Sequence, residues 1–115
     1  MKTIFLLFSL FLSLFAFAQP ANNNYASATD VSSLINSCSA NAAYTTVAAT
    51  NDNNPGSCWN TTGGSNVWFR FVATTTQINS QLFTGGAEGS LQYPYMALWA
   101  SNGTTQLGCV TYTSQ

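Results

Sequence analysis

The sequence predicts an all-β fold, an antiparallel β-sandwich, and three observations favour it. Short segments rich in β-branched and aromatic residues recur along the chain, separated by turn-forming Gly, Asn and Pro. No helical periodicity of apolar residues lasts longer than two turns. Aromatic residues make up 14% of the chain while charged residues make up 4%, so the chain can build a core and is not a disordered polar segment.

The first segment, residues 1–18, is predicted to be a cleavable secretory signal peptide. Lys2 gives it a positive start, an apolar run follows over 4–17, and "AFA" (16–18) is a small-x-small cleavage motif. The run is shorter than the roughly 18 to 20 apolar residues needed to span a bilayer. No Cys follows the cleavage site, which disfavours a lipoprotein. Residues 19–115 then form one small exported domain.

Few charges remain after the signal peptide, and they argue against several functions. Arg70 is the one base, and the acids are Asp30, Asp52 and Glu88. This balance offers no basic surface for nucleic acid. The chain has no His, so it has no Ser–His or Cys–His arrangement for nucleophilic catalysis. Asp30 and Asp52 lie among Asn and Ser, where Asx turns explain them. We therefore expect neither catalysis nor a cofactor.

The turn signals indicate where the strand-like segments begin and end. Asn102-Gly103 is the strongest hairpin signal in the chain and joins the last two segments. Pro94 cannot donate a ladder hydrogen bond, so its strand starts there or lies at an edge. A short helical turn is expected at 25–30, followed by a strand from Val31. The predicted strands are 43–50, 66–73, 77–83, 91–100 and 106–113.

The strand 66–73, "NVWFRFVA", contains Arg70 in its most apolar stretch. Alternate residues of a strand face opposite sides. One face is wholly apolar: Val67, Phe69, Phe71 and Ala73. The other face carries Trp68, Arg70 and Val72. Because a buried unpaired guanidinium would cost several kcal/mol, we assign the first face to the core. Arg70 then points outward with its stem along apolar neighbours, and a ligand contact is the alternative for it.

The three cysteines, Cys38, Cys58 and Cys109, are expected to be oxidised in part in an exported protein. The sequence does not fix which pair forms. We favour Cys38–Cys58, because both flank the segment 43–50 and its turn. Cys109 is then free, or it pairs with a partner that this chain lacks. Three Cys without His do not make a zinc site. "NDNNPG" (51–56) has one carboxylate, which favours a polar turn over a weak calcium site, so no metal is predicted.

Aromatic side chains are the candidate ligand-binding residues, because flat rings beside Asn and Gln amides are typical of sugar-binding modules. Trp68, on the predicted outward face, is the first candidate, and Trp59, in a loop, is the second. Tyr93, Tyr95 and Trp99 are further candidates. The alternative is that most of these rings form the core, since aromatics dominate small β cores.

The order of these features resembles a known family. A Cys precedes a Thr-rich strand, a second Cys lies in a Gly/Asn loop, and "VWFRFVA", "YMALWASNG" and "LGCV" follow. The chain is similar to the jelly-roll-like β-sandwich modules of the bacterial pre-peptidase C-terminal type. It resembles more closely their relatives in large secreted surface proteins of gliding, type-IX-secreting bacteria. The resemblance covers most of 22–110, is most specific at 67–72, and implies that Phe69 and Phe71 pack inward.

The chain departs from this family in three places. Many members have a Cys near the hairpin before the last Cys, where this chain has "SNG" (101–103), so Cys109 would lack that partner. Many follow the last Cys with Asp residues that could bind calcium, where this chain has "VTY" (110–112). Members also continue into further strands and domains. The chain is therefore expected to be an N-terminal fragment with an incomplete sandwich and an open edge.

Together these features predict an exported, non-catalytic module of a secreted or outer-cell-surface protein that acts in adhesion or substrate contact. Its expected partner is a polysaccharide or another cell-surface ligand, with further domains downstream and no nucleic acid or transmembrane span. Two alternatives stay open. The chain is a carbohydrate-binding accessory module of a secreted hydrolase, or it is a spacer without a ligand.

Overall fold

The computed structural model describes residues 18–52, 55–59 and 64–111. The predicted signal peptide lies outside these residues, apart from Ala18. Regular structure in the described part consists of two two-stranded sheets and short 3-10 helices of three residues each, which confirms the prediction of a non-helical chain of strands and coil. Nowhere in these ranges is there a helix long and apolar enough to cross a membrane.

The first sheet pairs β1 (Thr29–Asp30) with β2 (Phe69–Arg70), and the two strands are parallel. The backbone N–H of Thr29 donates to the carbonyl of Trp68 at 3.0 Å, and that of Val31 donates to the carbonyl of Arg70 at 2.8 Å. The parallel direction differs from the antiparallel pairing that the sequence predicts. The N-terminal segment therefore runs beside "WFRF" in the same direction and not in the opposite one.

The second sheet is the hairpin of β3 (Met96–Trp99) and β4 (Gln106–Val110). The strands are antiparallel, and Met96 lies opposite Val110. A β-bulge shifts the register between Leu98 and Trp99, and it leaves Leu107 without an opposite residue. The strand predicted at 91–100 is thus confirmed over 96–99, after Pro94, and the one predicted at 106–113 over 106–110.

The turn of this hairpin confirms the Asn102-Gly103 signal. The Asn102 side-chain oxygen accepts the N–H groups of Thr104 and Thr105 at 3.0 and 2.9 Å. Gly103 has φ +68°, a conformation that favours glycine. A Cβ at Gly103 would also lie 2.8 Å from the ring of Tyr25, whose hydroxyl donates to the carbonyl of Ser101. Tyr25 therefore fixes the hairpin tip against the N-terminal segment.

Other predicted elements do not form. Residues 43–50 and 77–83 are coil and turns, and the strand at 66–73 narrows to 69–70. Ala42 and Ala48 have φ of 52° and 61°, which is incompatible with an extended strand. The helical turn predicted at 25–30 is a 3-10 turn at Tyr25–Ser27, and the strand predicted from Val31 is replaced by a 3-10 turn at Ser32–Leu34.

The prediction for the faces of segment 66–73 is wrong for Trp68, Phe69 and Phe71, while Val72 of the predicted outward face is exposed. Trp68 is only 8% exposed, whereas Phe69 and Phe71 are 39% and 36% exposed. The physical reason is that the Trp68 indole has both apolar neighbours and a polar partner inside the structure, as described below. Among the described residues, the buried hydrophobic side chains are only Ala49 and Trp68. Several large apolar side chains are more than half exposed instead: Val47, Val72, Leu82, Phe83, Tyr93, Leu107 and Val110.

Candidate functional site

Trp68 lies between two other aromatic rings. Its ring centroid is 5.3 Å from that of Tyr25, in an edge-on arrangement, and 6.3 Å from that of Trp99, in a tilted one. Such edge-on and tilted contacts are favourable for aromatic pairs. The prediction that Trp68 lies on the outward face is therefore wrong. A sugar cannot stack on a ring that other rings already cover, so the first ligand-binding candidate is a core residue.

A buried polar cluster surrounds Trp68. The indole Nε1–H donates to the carboxylate of Asp52, and the Asp52 backbone N–H donates to the side-chain oxygen of Asn66 at 3.3 Å. The Asn22 amide donates to the Trp68 carbonyl at 3.0 Å, and the Trp68 N–H donates to the Asn22 carbonyl at 2.8 Å. Buried polar groups need such partners. Asp52 therefore has a structural role as the acceptor of the indole N–H.

Asn23 links this cluster to the coil at 50. Its side-chain oxygen accepts the Thr50 backbone N–H at 2.7 Å, and its amide donates to the Thr50 hydroxyl at 2.9 Å. Asn23 is buried, as are Asn22 and Asn66. The Asn-rich segment around residues 22–24 is therefore part of the fold. No periodic pattern indicates this role, because the partners are groups distant along the chain.

Arg70 points outward, as predicted. Its Nε lies 3.4 Å from an Asp30 carboxylate oxygen, and both side chains are more than half exposed. A surface ion pair of this kind contributes little to stability because water and salt screen it. A cation can lie in this apolar strand because Arg70 has a cross-strand partner. Asp30 and Arg70 are opposite each other in the first sheet. A ligand contact by Arg70 stays a prediction.

The Asx turn predicted at Asp30 is confirmed. The backbone N–H of Ser32 donates to Asp30 Oδ1 at 2.9 Å. Hydrogen bonds from the Ser32 backbone and hydroxyl lower the pKa of the Asp30 carboxyl below its ordinary value, and Arg70 adds a smaller lowering. Ser32 also accepts the backbone N–H of Val72 through its hydroxyl at 3.1 Å. Ser32 therefore connects the end of β1 to the chain that follows β2.

The titration of Asp30 is a direct test of this arrangement. We expect an NMR midpoint below the ordinary value of 3.8 in the folded protein. Because the folded pKa is lowered, the carboxylate contributes stability above the unfolded pKa, and that contribution is lost as the pH falls through the folded pKa. In Arg70→Gln most of the shift should persist, since the Ser32 donors are its main cause. A return of the midpoint to 3.8 in Arg70→Gln would contradict this assignment.

The disulfide joins Cys58 to Cys109, with Cα atoms 5.9 Å apart, and Cys38 is free and exposed. The predicted pairing Cys38–Cys58 and the expectation that Cys109 lacks a partner are both wrong. The reason is that the loop 55–59 packs on the hairpin. The Ser57 N–H donates to the Gln106 side-chain oxygen at 2.8 Å, and the Gln106 amide donates to the Ser57 hydroxyl at 2.6 Å. Proximity along the chain did not indicate this contact.

Trp59 and Cys109 of the disulfide both lie close to Gly56. A Cβ at Gly56 would lie 2.8 Å from Trp59 Nε1, from Cys109 Sγ and from the Ala97 side chain, so only glycine allows the loop to approach the hairpin so closely. The Trp59 ring is half-buried, and its centroid is 6.2 Å from that of Tyr95. Trp59 therefore packs in part against the hairpin and is not displayed freely in a loop. A ligand contact by Trp59 stays a prediction.

A cleft of about 390 Å³ lies between two stretches of coil, and it is lined by Thr84, Gly85, Leu91, Gln92 and Tyr93. Tyr93 is 64% exposed and has φ +54°. The N–H of Gly85 donates to the carbonyl of Gly89 at 2.7 Å and closes the loop beside it. The sequence marked only Tyr93 of this set, as one of several aromatic candidates. No pattern in the sequence indicated the other lining residues, because the cleft depends on the irregular backbone of a glycine loop.

No group of three or more His, Cys, Asp or Glu lies close enough to hold a metal ion in the described part of the chain. Positions 53 and 54 of "NDNNPG" lie outside that part, and the polar turn predicted there stays a prediction.

The chain matches no protein-family model, no curated protein and no solved structure. The resemblance to the pre-peptidase C-terminal type therefore stays a prediction.

Proposed function

We propose that this chain is an exported, non-catalytic β-sandwich module of a secreted or outer-cell-surface protein, and that it acts by contact in adhesion or substrate attachment. The observation that carries the proposal is the exposed apolar surface. Burial of exposed apolar area against another surface favours association. Within the described ranges, large apolar side chains are exposed in nearly every segment, while only Ala49 and Trp68 are buried hydrophobic residues.

The absence of charge in the C-terminal part of the sequence supports the same proposal. No Asp, Glu, Lys or Arg follows Glu88, so the hairpin carries no charged side chain. Leu107 at the bulge is 63% exposed, and Val110 at the end of β4 is also exposed. Proteins commonly protect free strand edges with charges or proline. An uncharged, apolar hairpin is therefore suited to contact with another surface by burial of apolar area.

Export is supported by the predicted signal peptide and by the Cys58–Cys109 disulfide. Disulfides persist mainly in oxidising environments outside the cytosol. In this proposal the two small sheets, one parallel and one antiparallel, belong to a β-sandwich. Part of the exposed apolar surface would contact the partner.

Leu107 gives a direct test of apolar contact. We expect Leu107→Lys to reduce retention of the exported protein on alkyl-coated beads by at least about tenfold, because burying a leucine side chain contributes about 1.5–3 kcal/mol. Thr104→Lys is the matched control, since it adds the same charge to the exposed turn of the same hairpin. Its retention should stay near that of the natural sequence.

Two results would contradict the proposal. Equal losses in both variants would mean that charge, not apolar contact, controls retention. No retention of the natural sequence on alkyl-coated beads or on cell surfaces would favour the spacer without a ligand.

A further inference from the structure

We infer that Asn102-Gly103 is a deamidation site that the folded hairpin keeps closed and that becomes reactive when the turn opens. Asn102 is the one asparagine of the sequence that a glycine follows. Asparagine is a labile side chain, and a following glycine favours the reaction because it has no side chain to hinder its own backbone nitrogen. The inference does not depend on the proposed contact function, since it concerns the lifetime of the hairpin and not its partner.

The reaction joins two neighbouring groups of the turn. The Gly103 backbone nitrogen loses its proton to a base from the solvent and forms a bond to the side-chain carbonyl carbon of Asn102. The bond from that carbon to Nδ2 breaks, and the nitrogen takes up a proton and leaves as ammonia. Water then opens the five-membered succinimide at either of its two carbonyl carbons. The product is aspartate or isoaspartate at position 102, and the net change is the exchange of ammonia for water.

The fold holds the nucleophile of this reaction away from solvent. Gly103 is buried, and its N–H donates to the carbonyl of Ala100 at 2.9 Å. This hydrogen bond must break before the nitrogen can lose its proton. The Tyr25 ring lies against Gly103, where an added Cβ would be 2.8 Å from it, and the Tyr25 hydroxyl donates to the carbonyl of Ser101. Tyr25 is therefore a positioning residue that keeps the tip of the hairpin closed.

The carbon that is attacked is not protected in the same way. Asn102 is exposed, and its Oδ1 accepts the N–H groups of Thr104 and Thr105 at 3.0 and 2.9 Å. Such donors stabilise the negative charge that develops on a carbonyl oxygen under attack. The Asn102 amide is thus accessible and polarised. The barrier that the fold adds lies at the Gly103 nitrogen, and it is lost when the turn opens.

Deamidation would make an opening of the hairpin permanent. An isoaspartate at position 102 adds one carbon atom to the backbone of the turn, so the hydrogen bonds from Thr104 and Thr105 cannot both be restored. Either product also places a carboxylate on a hairpin that has no charged side chain, because no Asp, Glu, Lys or Arg follows Glu88. A molecule whose turn has opened and reacted therefore cannot return to the same structure.

The test follows deamidation of the oxidised protein at mildly alkaline pH, in buffer and in guanidinium chloride. Mass spectrometry of the proteolytic peptide that contains the turn measures the exchange of ammonia for water. A synthetic peptide of residues 99–106 corrects for the direct effect of the denaturant. We expect a rate at least about tenfold higher in denaturant, which corresponds to an opening free energy of about 1.4 kcal/mol. Equal rates in the two solutions would overturn the protection by the fold, and no reaction in either would overturn the site.

Tyr25→Phe tests the closure of the tip. It keeps the ring and removes the hydrogen bond to Ser101, so the rate in buffer should rise about two- to tenfold, the range that the loss of one net hydrogen bond allows. The rate in denaturant should not change. Tyr44→Phe is the matched control, because Tyr44 is exposed to nearly the same extent and its ring lies beside Phe69. An equal rise in both variants, or no rise in Tyr25→Phe, would overturn the closure by Tyr25.

Discussion

Replacing Cys109 by Ser should lower the free energy of unfolding by about 4 kcal/mol. The Cys58–Cys109 bridge closes a separation of 51 residues, and removing it restores that much freedom to the unfolded chain. Small domains have a total stability of only about 5–15 kcal/mol, so the loss is a large fraction of the whole. Chemical denaturation of the oxidised protein, followed by tryptophan fluorescence, measures the change.

Cys38→Ser is the matched control for this result. Cys38 is exposed and free, so its replacement should change the free energy of unfolding by less than about 0.5 kcal/mol. The pairing Cys38–Cys58, which sequence proximity favours, makes the opposite forecast. A large loss in Cys38→Ser together with a small one in Cys109→Ser would overturn the observed pairing.

Trp68→Ala should lower the free energy of unfolding by about 3–5 kcal/mol, the usual cost of removing a large buried aromatic side chain. The substitution removes the ring between Tyr25 and Trp99 and leaves the Asp52 carboxylate without its indole donor. The thermal unfolding midpoint and the near-UV circular dichroism should both fall. This differs from the sugar-binding expectation for Trp68, under which the same substitution leaves the fold intact.

Two further variants separate the contributions of the Trp68 ring. Trp68→Phe keeps an aromatic ring and removes the N–H donor, so the loss should be smaller, about 1.5–3 kcal/mol for a hydrogen bond to a charged group. Phe83→Ala removes an aromatic ring that is mostly exposed and should change stability by less than about 0.5 kcal/mol. If Trp68→Ala is no more destabilising than Phe83→Ala, the burial of Trp68 is contradicted.

The features that could be predicted from the sequence are those set by a few neighbouring residues. The Asn102-Gly103 turn adopts the expected hairpin because the amide side chain and the glycine backbone act within that turn. The Asx turn at Asp30 is local in the same sense, since its donor is two residues away. Pro94 likewise limits where β3 begins. In each case neighbouring residues set the preferred backbone conformation, and no distant contact is needed for it.

The features that could not be predicted depend on distant partners. Alternation, the cost of burying Arg70 and the family resemblance assigned Phe69 and Phe71 to the core. Trp68 is buried instead, because it has both aromatic neighbours and the Asp52 acceptor. The segment 43–50 has β-branched residues but no ladder partner among the described strands, and strand preference depends strongly on such context. The disulfide depends on the contact of Ser57 with Gln106, which are 49 residues apart.

The candidate site shows the same division. The sequence indicated aromatic rings as candidate ligand-binding groups, and Tyr93 was among them. Burial determines which of these rings is exposed to solvent. Trp68 is enclosed, and Trp59 packs in part against neighbouring residues. The conformation of Tyr93 is a backbone property that no residue type indicates, because tyrosine is a poor choice for a positive φ.

The position of the disulfide has a consequence for how the protein matures. Under the proposed export from the N-terminus, Cys38 and Cys58 would reach the oxidising compartment before Cys109. The first bridge available would be Cys38–Cys58, which the structure does not contain. On that route the Cys58–Cys109 bridge would form by thiol–disulfide exchange, in which the Cys109 thiolate attacks the Cys58 sulfur and Cys38 leaves as a thiolate. We expect the yield of native protein to depend on disulfide isomerase activity in the exporting cell, and Cys38→Ser to remove that dependence.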